Sequence, residues 1–322
     1  MDVEQKIVKI AKKRSVRILL VEGEDERVLS AAAISVREGT AAPVLLGNKQ
    51  RIISMAARRN INLNGMDIIE HIVLDDDIDS LALLRKEKGV TREKAAELLK
   101  DPNYFAALKL KRGKADGALG GCLYSTAQWM RPVFQVIGKA DGVSIISAIC
   151  FVKLEDRTLF FSDTDFVIQP TYQELAQIAL NAADFVEKLG IIPKIGLLSY
   201  STHGSGEHPS LDKIRSALDL VRKTRKDLVI DGEIQFDAAT NPKSAQRKCP
   251  DSPLNGEANI LIFPDITVGN VLIHALTQLT GFKMYGSFPV GLAKPVINGG
   301  RSWNDRQVAD AITACAAEVN LS

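Results

Sequence analysis

The stretch "VRILLVEGEDERVLSAAAISVREGTAAPVLLGN", Val16–Asn48, carries the reading of the fold. Val16–Gly23 is a short aliphatic run with a turn after it. Asp25–Gly39 sets its apolar residues at helical spacing and stops on Gly39. Ala42–Asn48 is the next apolar strand. Strand, helix, strand is the unit of a parallel sheet with right-handed crossovers.

The same alternation runs outward. "DDDIDSLALLRKEKG" and "TREKAAELLKDPNYFAALKLKRG" read as helices capped at Asp79 and Thr91. "ADGALGG" returns to a strand, and "DGVSIISAICFVKLEDRTLFFSD" reads as a hairpin with a charged turn at Glu155–Arg157. From Thr171 on, helices and strands alternate regularly. The segment between about Gly142 and Tyr285 predicts a second sheet, with the C-terminal helix "VADAITACAAEV" packing back on the first domain. The expected fold class is therefore α/β, with residues 1–140 plus 286–322 as a discontinuous first domain and 141–285 as the second. Open α/β sheets hold ligands at the carboxyl ends of strands, so the site is expected in the cleft between the two.

Composition narrows the function. The chain has 322 residues, 46% of them hydrophobic, and its 41 basic and 39 acidic residues leave a net charge of +2. That balance gives no case for nucleic acid or a membrane surface. No apolar run is long enough for a membrane-spanning helix, and the first residues lack a signal-peptide pattern. Cys122, Cys150, Cys249 and Cys315 are widely spaced, so neither a zinc site nor a disulfide framework is expected, and a reducing cytoplasm is. His71, His203, His208 and His274 show no metal-ligand spacing.

Chemistry-bearing residues gather after strands. "SYSTHGSGEH" (Ser199–His208) could cradle an anion with hydroxyls and N–H groups. "IDGEIQFDAA" (Ile230–Ala239) sets Asp231, Glu233 and Asp237 around a strand end, and "YSTAQWMRP" (Tyr124–Pro132) holds Arg131 below two hydroxyls. "LLRKEKGVT" holds Arg85, and "PVINGGRSWNDRQVADAI" (Pro295–Ile312) sets Arg301 on two glycines ahead of a helix. Taken singly, each reads as a solvated loop, a cap or a salt-bridge partner. As a set, Arg27, Arg85, Arg131 and Arg301 with neighbouring hydroxyls suit phosphate oxygens in two-point contact.

The ordered pieces "EGEDERVLSAAA", "LRKEKGVT", "ADGALGG", "STAQWMRP", "LLSYSTHGS", "DGEIQFDAA", "SPLNGEANILIFPDITVGN" and "GLAKPV" together resemble the phosphotransacetylases, the phosphate acetyl/butyryltransferase family. The resemblance covers almost the whole chain. It implies two α/β/α domains, Rossmann-like and of the isocitrate/isopropylmalate dehydrogenase kind, with an interdomain cleft, and a homodimer. It implies reversible acetyl transfer between CoA and phosphate, with CoA, acetyl-CoA, phosphate and acetyl phosphate as partners. No resident cofactor, metal, nucleic acid or membrane is expected.

Carried over by position, the resemblance makes Arg301, Arg85 and Arg131 catalytic. It makes Arg27, Ser125, Thr126, Trp129, Gly300, Ser302 and Trp303 substrate-binding. The family's loop around the late arginine reads Asn-Asp-Leu-Ser-Arg-Gly-Cys, with an aspartate base six residues on. Here Gly300 replaces the serine, Ser302-Trp303 replace Gly-Cys, and Gln307 stands at the base. Asp305 is the candidate substitute. Trp129 stands at the hydroxyl position of a Thr-Leu-Arg-Pro loop, and His203 where the family has lysine. Three readings stay open: acetyl transfer, transfer of butyryl or another short acyl group, and a catalytically divergent homologue that binds CoA and acyl phosphate.

Overall fold

The structure, a computed structural model, describes residues 3–280, 282 and 284–321. The chain runs through α1 (Val3–Ala11), β1 (Arg17–Leu20), α2 (Glu26–Glu38), β2 (Ala42–Leu46), α3 (Lys49–Arg58) and β3 (Asp67–Ile69). Then come α4 (Asp75–Leu84), α5 (Arg92–Leu98), α6 (Pro102–Lys111), β4 (Gly117–Gly120) and α7 (Thr126–Val136). The next stretch holds β5 (Ser147–Lys153), β6 (Thr158–Ser162), α8 (Tyr172–Lys188), β7 (Lys194–Leu198) and α9 (Ser210–Thr224). It continues with β8 (Val229–Ile234), α10 (Phe236–Thr240), α11 (Pro242–Lys248), β9 (Ile260–Ile262), α12 (Ile266–Thr280) and β10 (Met284–Val290). β11 (Val296–Asn298) and α13 (Asp305–Leu321) end the chain.

These elements form two compact units. One holds the residues up to Asp141 and those from Leu292 on, and the other holds Gly142–Gly291. Among the described residues, the first unit has a five-stranded sheet in the order β11-β4-β1-β2-β3, parallel throughout. α2 is fastened at both ends. The Asp25 carboxylate accepts the N–H of Arg27 and of Val28, and Gly39 takes the left-handed φ of 68° that ends the helix. Strand alternation shows why both faces of this sheet are covered. A Cβ at Gly117 would meet Cys315 and Val319 of α13, whereas one at Gly120, on the opposite face, would meet Trp129 of α7. Helices on both faces of a parallel sheet make an α/β/α sandwich.

The second unit has a six-stranded mixed sheet in the order β10-β5-β6-β9-β7-β8. β5 and β6 form the hairpin read from the sequence, with Lys153 opposite Thr158 and the Leu154 N–H bonded to the Arg157 carbonyl at 2.8 Å. β10 lies antiparallel to β5 and runs to Val290, so the chain leaves this unit at Gly291 and not at the expected residue 285. The Phe161 and Phe263 rings stack in its core, 5.8 Å apart.

The expected cap at Asp79 is corrected: α4 begins at Asp75, a full turn earlier, and Asp79 instead pairs with Arg92. Thr91 does cap α5, accepting the Lys94 N–H at 3.2 Å. α4 is anchored by Asp77, which is fully buried and takes Lys109 Nζ at 2.7 and 2.8 Å and an Arg112 Nη at 2.7 Å. Burial pushes the Asp77 carboxyl up, but the Lys109 hydrogen bonds and the charges of Lys109 and Arg112 outweigh it, and the net shift is below the ordinary 3.8. The ion pair's stability is therefore present above about pH 3.8 and lost as pH falls through the lower folded value. Asp77→Ala leaves Lys109 buried without a counter-charge and is expected to cost about 3–5 kcal/mol. Urea unfolding at neutral pH measures this, and an unchanged midpoint would show that Lys109 finds another partner.

Candidate active site

In a parallel sheet the carboxyl ends of adjacent strands lie on one edge. β11, β4 and β1 are neighbours, so the loops after them meet there. The Gly299 N–H bonds to the Gly120 carbonyl at 2.7 Å, and the Val21 N–H to the Leu119 carbonyl at 3.0 Å. Glu22, buried just past β1, accepts the N–H of Gly121 at 2.7 Å and of Leu123 at 3.3 Å, which holds the β4 loop against the β1 loop.

The loop after β11 is a tight turn. The Trp303 N–H bonds to the Gly300 carbonyl at 3.1 Å, so Arg301 and Ser302 form its tip, and both are exposed. The Trp303 indole lies on Gly300, where a Cβ would come within 2.5 Å of the ring nitrogen. A side chain at position 300 would therefore run into the Trp303 ring as it lies here. Beyond the turn, Asn304 and Gln307 cap α13 reciprocally. The Gln307 N–H donates to the Asn304 side chain at 2.9 Å, and the Asn304 N–H to the Gln307 side chain at 3.0 Å. Gln307 thus has a structural task. Asp305, the first residue of α13, is exposed and accepts the Arg306 N–H at 2.9 Å.

The four arginines differ. Among the described residues, no hydrogen bond or ion pair engages the side chains of Arg301 and Arg131. Arg85 gives one Nη to the Gln135 carbonyl at 2.6 Å, and its Nε is buried without a partner. Burial raises the Tyr104 phenol, and Arg85 and Arg131 both pull it back, so the two arginines stand within electrostatic reach of one ring. Tyr104 is itself held by the Gln135 side chain at 2.8 Å.

Arg27 departs from the expectation of a substrate ligand. Its Nε and one Nη clasp Asp25 at 3.1 and 2.8 Å, and that Nη also bonds the Cys122 carbonyl at 2.9 Å. The other Nη bonds the carbonyls of Arg301 at 2.8 Å and Trp303 at 2.9 Å. A guanidinium has five N–H groups, and all five are taken.

Trp129 is the second correction. It is fully buried, its indole N–H donates to the Ile297 carbonyl at 3.0 Å, and its ring lies on Gly120. It fills the space between α7 and the sheet, a core position and not the expected exposed substrate contact. Ser125 caps α7, accepting the Gln128 N–H at 3.3 Å and donating to the Gln128 side chain at 2.9 Å. Exposed Thr126 accepts from Asn298 at 3.1 Å, which joins the β4 and β11 loops a second time. Burial, with Glu22 adding to it, pushes the Cys122 thiol up to about 12. That thiol stays protonated at neutral pH and is no nucleophile.

In the second unit, the Ser199–His208 loop already serves a carboxylate of its own. Glu233 accepts the Gly204 N–H at 2.8 Å, the Ser201 hydroxyl at 3.2 Å, and Arg215 at 2.7 and 2.9 Å. His203 is paired with Asp231 at 2.9 Å. Among the described residues, no group of three or more His, Cys, Asp and Glu side chains could hold a metal ion.

Sequence reading missed Glu22, Tyr104, Gln135 and Asn298. Only Glu22 left a signal, as an acid directly behind an apolar run. The burial of Trp129 is open to test. Trp129→Thr is expected to destabilise the protein by about 3–5 kcal/mol, as large core truncations do, with its indole emission shielded from acrylamide in the native chain. A near-neutral unfolding midpoint would overturn the core assignment.

Comparison with known proteins places the chain among relatives. The profile of the phosphate acetyl/butaryl transferase family matches residues 2–316. The phosphate acetyltransferases of Thermoanaerobacterium thermosaccharolyticum and of Clostridium acetobutylicum are each 35% identical, over 99% of this chain and 99% of their own length. A phosphotransacetylase crystal structure from Streptococcus pyogenes superimposes with a TM-score of 0.94 at 34% identity, covering 99% of this chain and 98% of that one. The chain belongs to the phosphate acetyl/butaryl transferase family.

Proposed function

We propose that this protein catalyses the reversible reaction of acetyl-CoA with phosphate to give acetyl phosphate and CoA. Family membership supports the reaction class. The observation in the structure that supports a site is Arg301: a guanidinium without a partner among the described residues, on a braced turn at the common edge of three parallel strands.

In the direction of thioester synthesis, the CoA thiol loses its proton and the thiolate attacks the carbonyl carbon of acetyl phosphate. The carbonyl oxygen takes up negative charge. The C–O bond to phosphate then breaks, and phosphate leaves with that electron pair. Arg301, whose backbone is held in the turn, supplies positive charge for the developing oxyanion and the phosphate. Arg131 and Arg85 are assigned to the substrates' phosphate groups, with Thr126 as a hydroxyl donor and Ser302 as the neighbour of Arg301 on the turn. Asp305 is assigned as base. CoA enters as a substrate, and the proposed steps call for no resident cofactor.

A homodimer in the cytoplasm completes the reading. α12 supports the dimer, because Val268, Val271 and Leu279 stand exposed along an apolar helix. All four cysteines are free and buried, which suits a reducing compartment. Among the described residues, no helix is long and apolar enough to cross a membrane. One observation favours a second reading, a chain that binds CoA and acyl phosphate without turning them over: the residue at the family's base position is a capping glutamine.

Thioester formation from CoA with acetyl, propionyl or butyryl phosphate, followed by its ultraviolet absorbance, tests the proposal. Acetyl phosphate is expected to react fastest, and no turnover with any of the three sinks the enzymatic reading. Arg301→Ala should lower kcat about 10²–10³-fold, like loss of one oxyanion donor. Arg301→Lys should recover only part of this, because a point charge lacks the planar fork. Asp305→Asn should slow the reaction at neutral pH and regain rate as rising pH supplies thiolate directly. A flat response to that substitution removes Asp305 from the mechanism.

A further inference from the structure

We propose that Arg27 is a positioning residue, whose guanidinium sets the turn that presents Arg301 and holds no substrate phosphate. The proposal rests on the reading of Arg301 as the anion ligand of an acetyl-transfer site.

The argument is geometric. Arg27 sits in the first turn of α2, where its own N–H and side chain both return to the Asp25 carboxylate, at 2.7 Å and at 2.8 and 3.1 Å. That bidentate clasp leaves three N–H groups, which point at three backbone carbonyls. One is Cys122, in the loop after β4. The others are Arg301 and Trp303, in the loop after β11. Arg27 therefore bonds the peptide carbonyl of Arg301 itself and that of the residue two further on. The turn between them is closed by the Trp303 N–H on the Gly300 carbonyl and is backed by the Trp303 ring on Gly300. With both ends fixed, only the side chains of Arg301 and Ser302 remain to project.

A lysine cannot replace this clasp. It carries charge and three donors, but not in a planar fork able to reach carbonyls on both loops while paired with Asp25. A phosphate could engage Arg27 only by displacing one of these carbonyls, which would loosen the turn that carries Arg301. The two roles exclude each other, and that makes the proposal testable.

In steady-state assays, Arg27→Lys should lower kcat about 100-fold, the scale of a small misplacement of a catalytic group. The KM values for CoA and acetyl phosphate should stay within about threefold of wild type, because ground-state binding is not what is lost. In an Arg301→Ala background the same change should cost less than about threefold, since a residue acting only through Arg301 has nothing left to position. A rise in KM for acetyl phosphate that adds fully to the Arg301→Ala defect would make Arg27 a direct ligand and overturn the proposal. Asp25→Asn is the second variant if Arg27→Lys does not fold. Asparagine caps a helix as well as aspartate does, so α2 is kept while the charge aiming the guanidinium is removed, and the same kcat-specific loss is expected.

A readout without substrate separates this proposal from the assigned reaction. The chain has two tryptophans, of which Trp129 is fully buried, so acrylamide quenching of the free protein reports Trp303. Releasing its carbonyl in Arg27→Lys should raise that quenching. If wild type forms no thioester but the quenching rises, the reaction is wrong and the clasp stands. If the quenching is unchanged in both variants, the clasp is wrong whatever the activity.

Discussion

A parallel ladder aims the carboxyl ends of its strands the same way, and in the first unit the ladder on which the rest depends is β11-β4-β1. Its three loops come from residues just after Leu20, Gly120 and Asn298, far apart in the chain. Backbone hydrogen bonds between strands bring them to one edge, and a small set of side chains then fixes how they lie. Glu22 binds the β4 loop from the β1 side, Asn298 reaches Thr126 from the β11 side, and Arg27 reaches both loops. Each bond joins two loops, so a change in one strand's register would be felt in all three.

Three of the residues that depart from the expected pattern, Trp303, Trp129 and Gln307, are each matched to a neighbour. Trp303 needs Gly300, because any Cβ there would run into its indole, and Trp129 needs Gly120 for the same reason. Gln307 needs Asn304, because each caps the other. The aromatic bulk goes into packing the turn and the core, and the guanidinium of Arg301 is left at the surface.

The proposed chemistry makes modest demands on such a scaffold. The nucleophile and the leaving group both arrive with the substrates. The protein has to supply fixed positive charge and a proton acceptor, and fixed charge is effective only when its reorganisation is complete before reaction. Bracing the backbone on either side of Arg301 fixes where its side chain starts, and among the described residues no partner takes up the donors of its fork. The buried Asp77 pair does the same work more remotely, since it fixes α4, and Arg85 stands immediately after that helix's last residue.

Local pattern alone gave the α/β alternation over much of the chain, because periodicity, caps and terminal glycines act within a few residues, but the strands β3, β10 and β11 were not read from it. The Asp25–Gly39 helix and the Lys153–Thr158 hairpin were legible for that reason, whereas of the four arginines only Arg301 stands in a loop after a strand: Arg27 and Arg131 lie in α2 and α7, and Arg85 ends α4. The ordered set of motifs also placed the chain in its family. The duties of individual side chains were another matter. Arg27 and Arg301 look alike in sequence, both arginines a few residues behind strands, yet one has every donor engaged and the other, among the described residues, has none. The difference lies in carbonyls 95, 274 and 276 residues from Arg27. Trp129 was read into the site because its neighbours in sequence belong there, whereas its hydrogen bond goes 168 residues away into the sheet. Which donors stay free depends on which acceptors folding brings near, and only the tertiary structure decides that.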